Sequence, residues 1–400
     1  MTRQDTDILI SGGGIAGLTA AAAFGAAGFS VICVDPAPPI TDAATKGADL
    51  RTTAFLQPAR AFLEKTGIWP TLAPYATPLR VMRIIDAGGP EPAPRTTRDF
   101  DSAELGDQPF GWNLPNWLLR RELVSRLKDL PLVDFRSGTA TKSLLTREAH
   151  ALVGLGDGSQ IRARLAIAAD GRASPLREAA GISVRQYRYG QKALAFAVTH
   201  PIPHENVSTE IHRTGGPFTL VPLPDRDGLP CSAVVWMERG AEAQRLMALD
   251  DAAFAEAATE RSCGVLGPLT LAGRRSLWPI IAQMAERLSG QRLALVAEAA
   301  HVLPPIGAQG LNMSLGDLAT LLDLAQEAPA TLGDEAMLAQ YNRARHGDIR
   351  TRVLGIDLLN RASIAETQAL RDVRARGIDA LYALPPLRRA LMQMGLGARG

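Results

Sequence analysis

The segment Asp7-Ile8-Leu9-Ile10-Ser11-Gly12-Gly13-Gly14-Ile15-Ala16-Gly17 runs from a short apolar stretch into a G-x-G-x-x-G pattern, and an Ala-rich stretch then continues to Ala27 before Gly28. The apolar stretch has the length of a buried strand. The Ala-rich stretch has the length of a helix ended by glycine, and Ser30 to Val34 reads as a second strand closed by Asp35. Strand, glycine turn, helix and strand make a βαβ unit, the context in which this glycine pattern carries meaning. Gly12 permits the tight turn, Gly14 lets the backbone approach a pyrophosphate, and Gly17 lets helix and strand pack closely. The N–H groups of Ile15 and Ala16, in the first helical turn, face the anion. Asp35 lies 18 residues beyond Gly17, where a carboxylate accepts from ribose hydroxyls. The unit therefore predicts a dinucleotide site and leaves open which dinucleotide.

From that unit outward, 400 residues suggest two domains, or one α/β domain with a second inserted in it. Hydrophobic residues at 46% and charged residues at 21% exclude a disordered chain. A net charge of +2 leaves no general attraction to phosphate backbones, so no nucleic-acid partner is expected. Cys33, Cys231 and Cys263 are too dispersed for a disulfide framework or a metal site, which favours a reducing compartment and buried thiols. Ile8 to Val34 carries no charge over 27 residues, but its glycines and the preceding Asp5 and Asp7 argue against a membrane span. No metal site is expected, and nothing matches C-x-x-C or G-x-S-x-G.

Further along, Thr53 to Thr66 has helical periodicity, Gly88 to Arg98 reads as a Pro-rich loop, and Leu118 to Leu127 as a helix. Beyond residue 181, the stretches Leu194 to Thr199, Ser208 to Arg213, Phe218 to Leu223 and Ala233 to Met237 read as strands. A helical stretch, Ala241 to Ser262, and a strand near Leu277 to Met284 follow. Leu293 to Val296 then enters a Gly/Pro turn and a helix from about Leu311 to Gln326. The last 60 residues hold 11 Arg against five acids. Leu387, Ala390, Leu391 and Met394 share one helical face there, a pattern of a surface helix or of a shallow membrane contact.

Three further segments carry a resemblance. Ala169-Asp170-Gly171-Arg172-Ala173-Ser174-Pro175-Leu176-Arg177 resembles the Asp-Gly motif of class A flavin monooxygenases, A-D-G-x-x-S-x-V-R. Leu295 to Asn312 resembles the same family's second FAD motif, G-D-A-A-H-x-x-x-P-x-x-G-Q-G-x-N, and Asp49 to Ala54 its D-x-R-x-x-A stretch. Gly216-Pro217-Phe218, Pro222-Leu223-Pro224, Val234-Val235-Trp236 and Leu358 to Arg361 are similar to the ubiquinone-biosynthesis aromatic-ring hydroxylases, relatives of p-hydroxybenzoate hydroxylase. The likeness covers nearly the whole chain. It departs at Ala297-Glu298, where the family has Gly-Asp.

The resemblance implies an α/β fold: a doubly wound, Rossmann-like FAD domain, an inserted, mainly antiparallel β-sheet substrate domain, and C-terminal helices. The expected division is 1–180 and 285–330 for the FAD domain, 181–284 for the substrate domain and 331–400 for the helical end. It implies FAD held by Gly12, Gly14, Ile15, Ala16, Gly17, Asp35, Arg51, Arg120, Asp170, Glu298, Leu311 and Asn312, with Pro305 and Gly310 facing the flavin and Leu311 and Asn312 as amide donors. Arg121 is the alternative to Arg120. His301, inside the motif, is expected to be structural or adjacent to the flavin rather than an acid or base. The implied reaction is hydroxylation of the ring of a prenylated phenol in ubiquinone biosynthesis, with O2 and transient NAD(P)H, by way of a flavin C4a-hydroperoxide. Implied partners are a membrane surface and quinone-biosynthesis proteins, and the implied location is cytoplasmic, peripheral on the inner face of the membrane. Two other readings share the motifs: an FAD-dependent prenyl-chain reductase, and a scaffold with a degenerate flavin site. A plain NAD-dependent dehydrogenase would leave Asp170 and Pro305 unexplained.

Overall fold

The computed structural model describes residues 3–364 and 367–396. The βαβ unit forms as read. Strand Arg3–Ser11 pairs in parallel with Val31–Asp35 on one side and Gln160–Ala168 on the other. Helix Ile15–Ala26 connects the first two and is buried from Ala16 to Gly25, which explains why its small residues show no amphipathic period. Strand Val133–Ser137 extends the sheet beyond Val31–Asp35, and Leu293–Leu295 joins Gln160–Ala168 in parallel. A hairpin, Thr141–Thr146 and Ala151–Leu155, hangs from the same edge. The largest apolar core lies between this sheet and helices Ile15–Ala26, Asn116–Lys128 and Gln309–Glu327.

The second sheet is mainly antiparallel, and its long central strand Val184–Thr199 lies between Ser276–Ala285 and Leu229–Arg239. Pro217–Arg226 and Val207–His212 follow outward. Alternation divides its residues between two faces. Leu194, Phe196, Ile211, Phe218, Leu220, Val234 and Trp236 pack on helices Gly240–Met247 and Asp251–Arg261. The other face turns toward the first sheet.

Four local expectations are corrected. The second sheet is not built from 181–284 alone, because Val81–Asp86 and Thr96–Asp101 form an antiparallel hairpin that joins Val207–His212 in parallel. The stretch read as a loop ends in that second strand, in which Phe100 is the only apolar residue and which is tied by Arg83 to Asp99 at 2.7 Å. Thr53 to Thr66 divides into strand Thr52–Leu56, which pairs with Gly111–Pro115, and helix Gln57–Lys65, which has Pro58 in its first turn. Ala241 to Ser262 divides into two helices because Asp250 accepts from the Ala253 N–H and starts the second.

Helices Glu335–Ser363, Gln368–Ala383 and Pro385–Leu396 complete the chain. Gln368–Ala383 has no buried residue. It is held by ion pairs to the hairpin instead: Arg374 to the fully buried Asp86 at 2.8 Å, Asp372 to Arg95, and Asp379 to Arg98. Leu370, Val373, Leu381 and Leu384 therefore point outward. In the last helix, Met392 and Leu396 pack on Phe110, while Leu387 and Met394 remain exposed. No helix among the described residues is long and apolar enough to cross a membrane.

Candidate functional site

A single cavity of about 750 Å³ begins at the first glycine turn, passes between the two sheets and ends against the second. Its near end shows why three glycines are needed. Gly12 adopts φ +107°, and a Cβ there would strike the Ala169 carbonyl; a Cβ on Gly17 would strike the Gly12 carbonyl. Gly14 is different, because a Cβ there meets no protein atom within 4 Å. Its side faces the cavity. Helix Ile15–Ala26 has no capping side chain, so the first-turn N–H groups beside Ile15 and Ala16 remain available to an anion. Asp35 lines the same end and accepts from the N–H groups of Gly13, at 2.6 Å, and Ala37, at 2.9 Å.

Asp170 follows the end of strand Gln160–Ala168. Its Oδ2 accepts from Ser11 Oγ at 3.0 Å, whereas its Oδ1 is buried with no partner. Burial pushes this carboxyl up, against the hydrogen bonds of Ser174 and Ser11. An orphaned acceptor on a cavity wall fits a ligand hydroxyl. Arg177, fully buried, spans the Arg172 and Ala299 carbonyls at 3.0 Å each and so fixes the Asp170 turn against the Ala297–Ala299 turn. There Glu298 lines the cavity, half-exposed, 3.5 Å from Arg172. Ala297 takes φ +55°, a left-handed conformation that suits glycine.

Asp49 organises the arginines. It pairs with both Arg51 nitrogens at 2.7 Å, accepts from Asn116, and lies 3.7 Å from Arg120. Burial raises its carboxyl, but the hydrogen bonds and charge of Arg51 prevail and hold it below the ordinary range. Arg51 also stacks 5.1 Å over Trp278. Arg120 lines the cavity, whereas Arg121 pairs with Glu122 and stacks on Tyr75 and Trp117.

Helix Gln309–Glu327 starts at the cavity, with Pro304, Pro305, Gly310 and Leu311 on its wall. The Asn312 side chain does not reach the cavity wall, whereas the expectation concerns its backbone amide in the first turn of the helix. Its Oδ1 accepts from the Leu56 N–H at 2.8 Å and its Nδ2 donates to the Ala54 carbonyl at 2.7 Å, so it fastens strand Thr52–Leu56 to the helix. His301 also lines the cavity, but its Nε2 lies 2.7 Å from Asp317, which in turn accepts from Arg345 at 2.8 Å. Asp317 and His301 are buried. Burial raises the Asp317 carboxyl, yet His301 and Arg345 outweigh it and hold the carboxyl low. Among the described residues no cluster could hold a metal ion.

Asp49, Arg177 and Trp278 were not singled out from sequence. The first two lie within recognised motifs, where the residue type gives no clue to which arginine or aspartate touches a ligand. Trp278 has no local signal.

Residues 5–353 match the family model described as FAD binding domain. The chain belongs to the FAD binding domain family. Among relatives of this FAD binding domain protein, a ubiquinone hydroxylase of Rhodospirillum rubrum is 33% identical over 98% of this chain and 89% of its own. The 3-demethoxyubiquinol 3-hydroxylase of Escherichia coli is 27% identical over 99% of this chain and 100% of its own. A solved p-nitrophenol 4-monooxygenase from Pseudomonas putida is 19% identical, with a TM-score of 0.80 over 100% of both chains, and shows the shared fold.

Proposed function

We propose that the protein is an FAD-dependent monooxygenase that hydroxylates the aromatic ring of a prenylated phenol in ubiquinone biosynthesis, using O2 and transient NAD(P)H. The observation that carries this reading is one continuous cavity whose near end suits FAD and whose far end is a mainly apolar sheet face. The relatives' names supply the substrate class. Gly14, with the N–H groups of Ile15 and Ala16, would hold the pyrophosphate, and Asp35 the ribose near the adenine. Asp170 Oδ1 and Glu298 would accept from hydroxyls of the ribityl chain, and Arg51 and Arg120 would neutralise phosphate charge. When bound, FAD supplies hydride acceptance and oxygen transfer to the ring.

The chain's own residues supply the rest. Helix Gln309–Glu327 aims its first N–H groups, with Gly310 and Leu311, where negative charge develops at the cavity's middle. Pro304 and Pro305 shape that wall and leave no N–H to compete. The apolar face of the second sheet orients the ring and excludes water, which keeps reactive oxygen from being discharged. No second glycine-rich dinucleotide unit is present in the sequence, so NAD(P)H would approach transiently beside Asp170 and Arg172.

The outward faces of the last helices would meet an anionic membrane surface. Leu354, Leu358, Leu359, Leu370, Val373 and Leu381 are exposed, while Asp348, Asp357, Asp372 and Asp379 are each engaged by arginines. Arg350 and Arg389 form no ion pair among the described residues, so the apolar surface is bordered by cations. A second copy of this face would oppose these like charges. Quinone-biosynthesis proteins remain part of the proposed setting. The test of the main reading is substrate-stimulated NAD(P)H oxidation by the purified yellow protein with a hydroxylated product; oxidation with a saturated prenyl chain would favour the reductase, and neither would favour the scaffold.

A further inference from the structure

The far end of the cavity contains a charge that the proposed chemistry has not used. On strand Val207–His212, Thr209 and Ile211 are buried on the helix side, so alternation turns Ser208, Glu210 and His212 to the opposite, cavity-facing side. The neighbouring positions across the ladder agree: Thr219, Val221, Ala233 and Val235 also line the cavity. Among the described residues that the second sheet gives to this wall, Glu210 is the one charged side chain. Behind it, His212 Nε2 lies 2.9 Å from Glu210 Oε1, and both side chains are largely buried.

A second polar group lines the same cavity. Asn113, 0% exposed on strand Gly111–Pro115, donates its Nδ2 to the Pro222 carbonyl at 2.9 Å and leaves Oδ1 buried with no donor. Both groups therefore offer acceptors, and a buried acceptor left unmatched is costly. A ligand that completes them must bring hydrogen-bond donors. It must also tolerate a carboxylate in apolar surroundings, where like charge is repelled strongly.

We propose a subsite in which Glu210, braced by His212, takes the hydroxyl hydrogen of a phenol and turns away aromatic carboxylic acids, with Asn113 Oδ1 as the acceptor for a second hydroxyl on the ring. The subsite rests on the reading that the second-sheet end of the cavity holds the substrate ring. It makes Glu210 a specificity-determining residue: an arginine or a neutral side chain there would favour a hydroxybenzoate, whereas a carboxylate selects rings that carry no carboxyl group. No proton need leave the substrate for this selection to operate.

The test compares two probes on the FAD-loaded protein, 2-prenylphenol and 3-prenyl-4-hydroxybenzoate, by flavin difference absorbance and by equilibrium dialysis. The parent should prefer the phenol by about 100-fold. Glu210→Gln, which keeps shape and removes charge, should weaken the phenol by about 10-fold, the order expected for one charge-assisted hydrogen bond, and strengthen the acid, so that preference falls to near unity. Glu210→Asp keeps the charge and should keep the preference, which separates charge from any folding defect. A parent that binds both probes equally, or a folded Glu210→Gln with the parent's preference, would overturn the subsite alone. A parent that binds neither probe would overturn the substrate end of the cavity and the subsite with it.

Discussion

Replacing Asp317 by asparagine should destabilise the protein and loosen the flavin half of the cavity together. The carboxylate is 0% exposed and accepts from His301 at 2.7 Å, Arg345 at 2.8 Å and the Ala297 N–H at 3.4 Å. Asparagine removes the charge and leaves Arg345 buried against a neutral amide, a change that costs about 3 to 5 kcal/mol in comparable sites. Arg345 keeps Asp348 at 2.7 Å and the Met313 carbonyl at 3.2 Å, which places the loss near the lower figure, about 3 kcal/mol. At roughly 2 °C per kcal/mol for a chain of this size, the melting temperature should fall by about 6 °C. The function should follow, because Asp317 holds the Ala297 turn and the strand that leads into Pro304 and Pro305. FAD release, followed by flavin fluorescence, should accelerate.

The pH series sharpens the case. Asp317 is held below its ordinary range, so its contribution is complete above the unfolded carboxylate value and is lost as pH falls through the folded one. The gap between parent and Asp317→Asn should therefore be widest near neutral pH and close in acid. A urea midpoint in Asp317→Asn equivalent to a loss below about 1 kcal/mol at neutral pH would refute the assignment of a charge-bearing buried network.

Gly14→Val should purify folded and colourless, since a branched side chain would enter space that no protein atom fills; stoichiometric flavin in the folded variant would count against the pyrophosphate placement. Ala297→Gly should raise stability by about 0.5 to 1 kcal/mol in urea titrations, because glycine adopts φ +55° without a Cβ penalty; a loss would show that the turn is unstrained. Glu298→Ala should weaken FAD by about 10-fold in titrations of the apoprotein, and Glu298→Asp should not; parent-like titration of the alanine variant removes Glu298 from the site. The double variant Leu358→Glu, Leu381→Glu should lose salt-sensitive co-sedimentation with anionic liposomes and keep its flavin, and unchanged sedimentation would place the contact elsewhere.

The glycine turn was legible in sequence because each glycine answers a separate steric demand, and Asp35 and Asp170 because both follow strands that end at the cavity. Strand Thr96–Asp101 was not, because its reading as a loop came from charge and its partners, Arg83, Asp379 and Val81–Asp86, are distant or themselves irregular in pattern. At the C-terminal end the apolar face of Leu387 and Met394 was legible as a surface, whereas what turns the helices' leucines outward was not. Their leucine stripe obeys the helical period, but ion pairs to Asp86, Arg95 and Glu104, all more than 270 positions away, dock the polar face and turn the stripe outward. Asn312 lay in a family motif and proved to be a fastener, since a motif gives the residue type and not the direction of its side chain. Glu210 had no signal, because a cavity-facing position on a half-buried strand has the same alternation as a solvent-facing one.

Single-turnover incubation of the FAD-loaded protein with NAD(P)H, ¹⁸O-labelled O2 and a 2-prenylphenol, followed by mass analysis of the product, tests the central claim most directly. The account requires one labelled oxygen on the aromatic ring, an intact prenyl double bond, and NAD(P)H oxidation faster with the phenol than without it. A folded, flavin-loaded protein that returns unlabelled phenol, or phenol with a saturated chain, would contradict it.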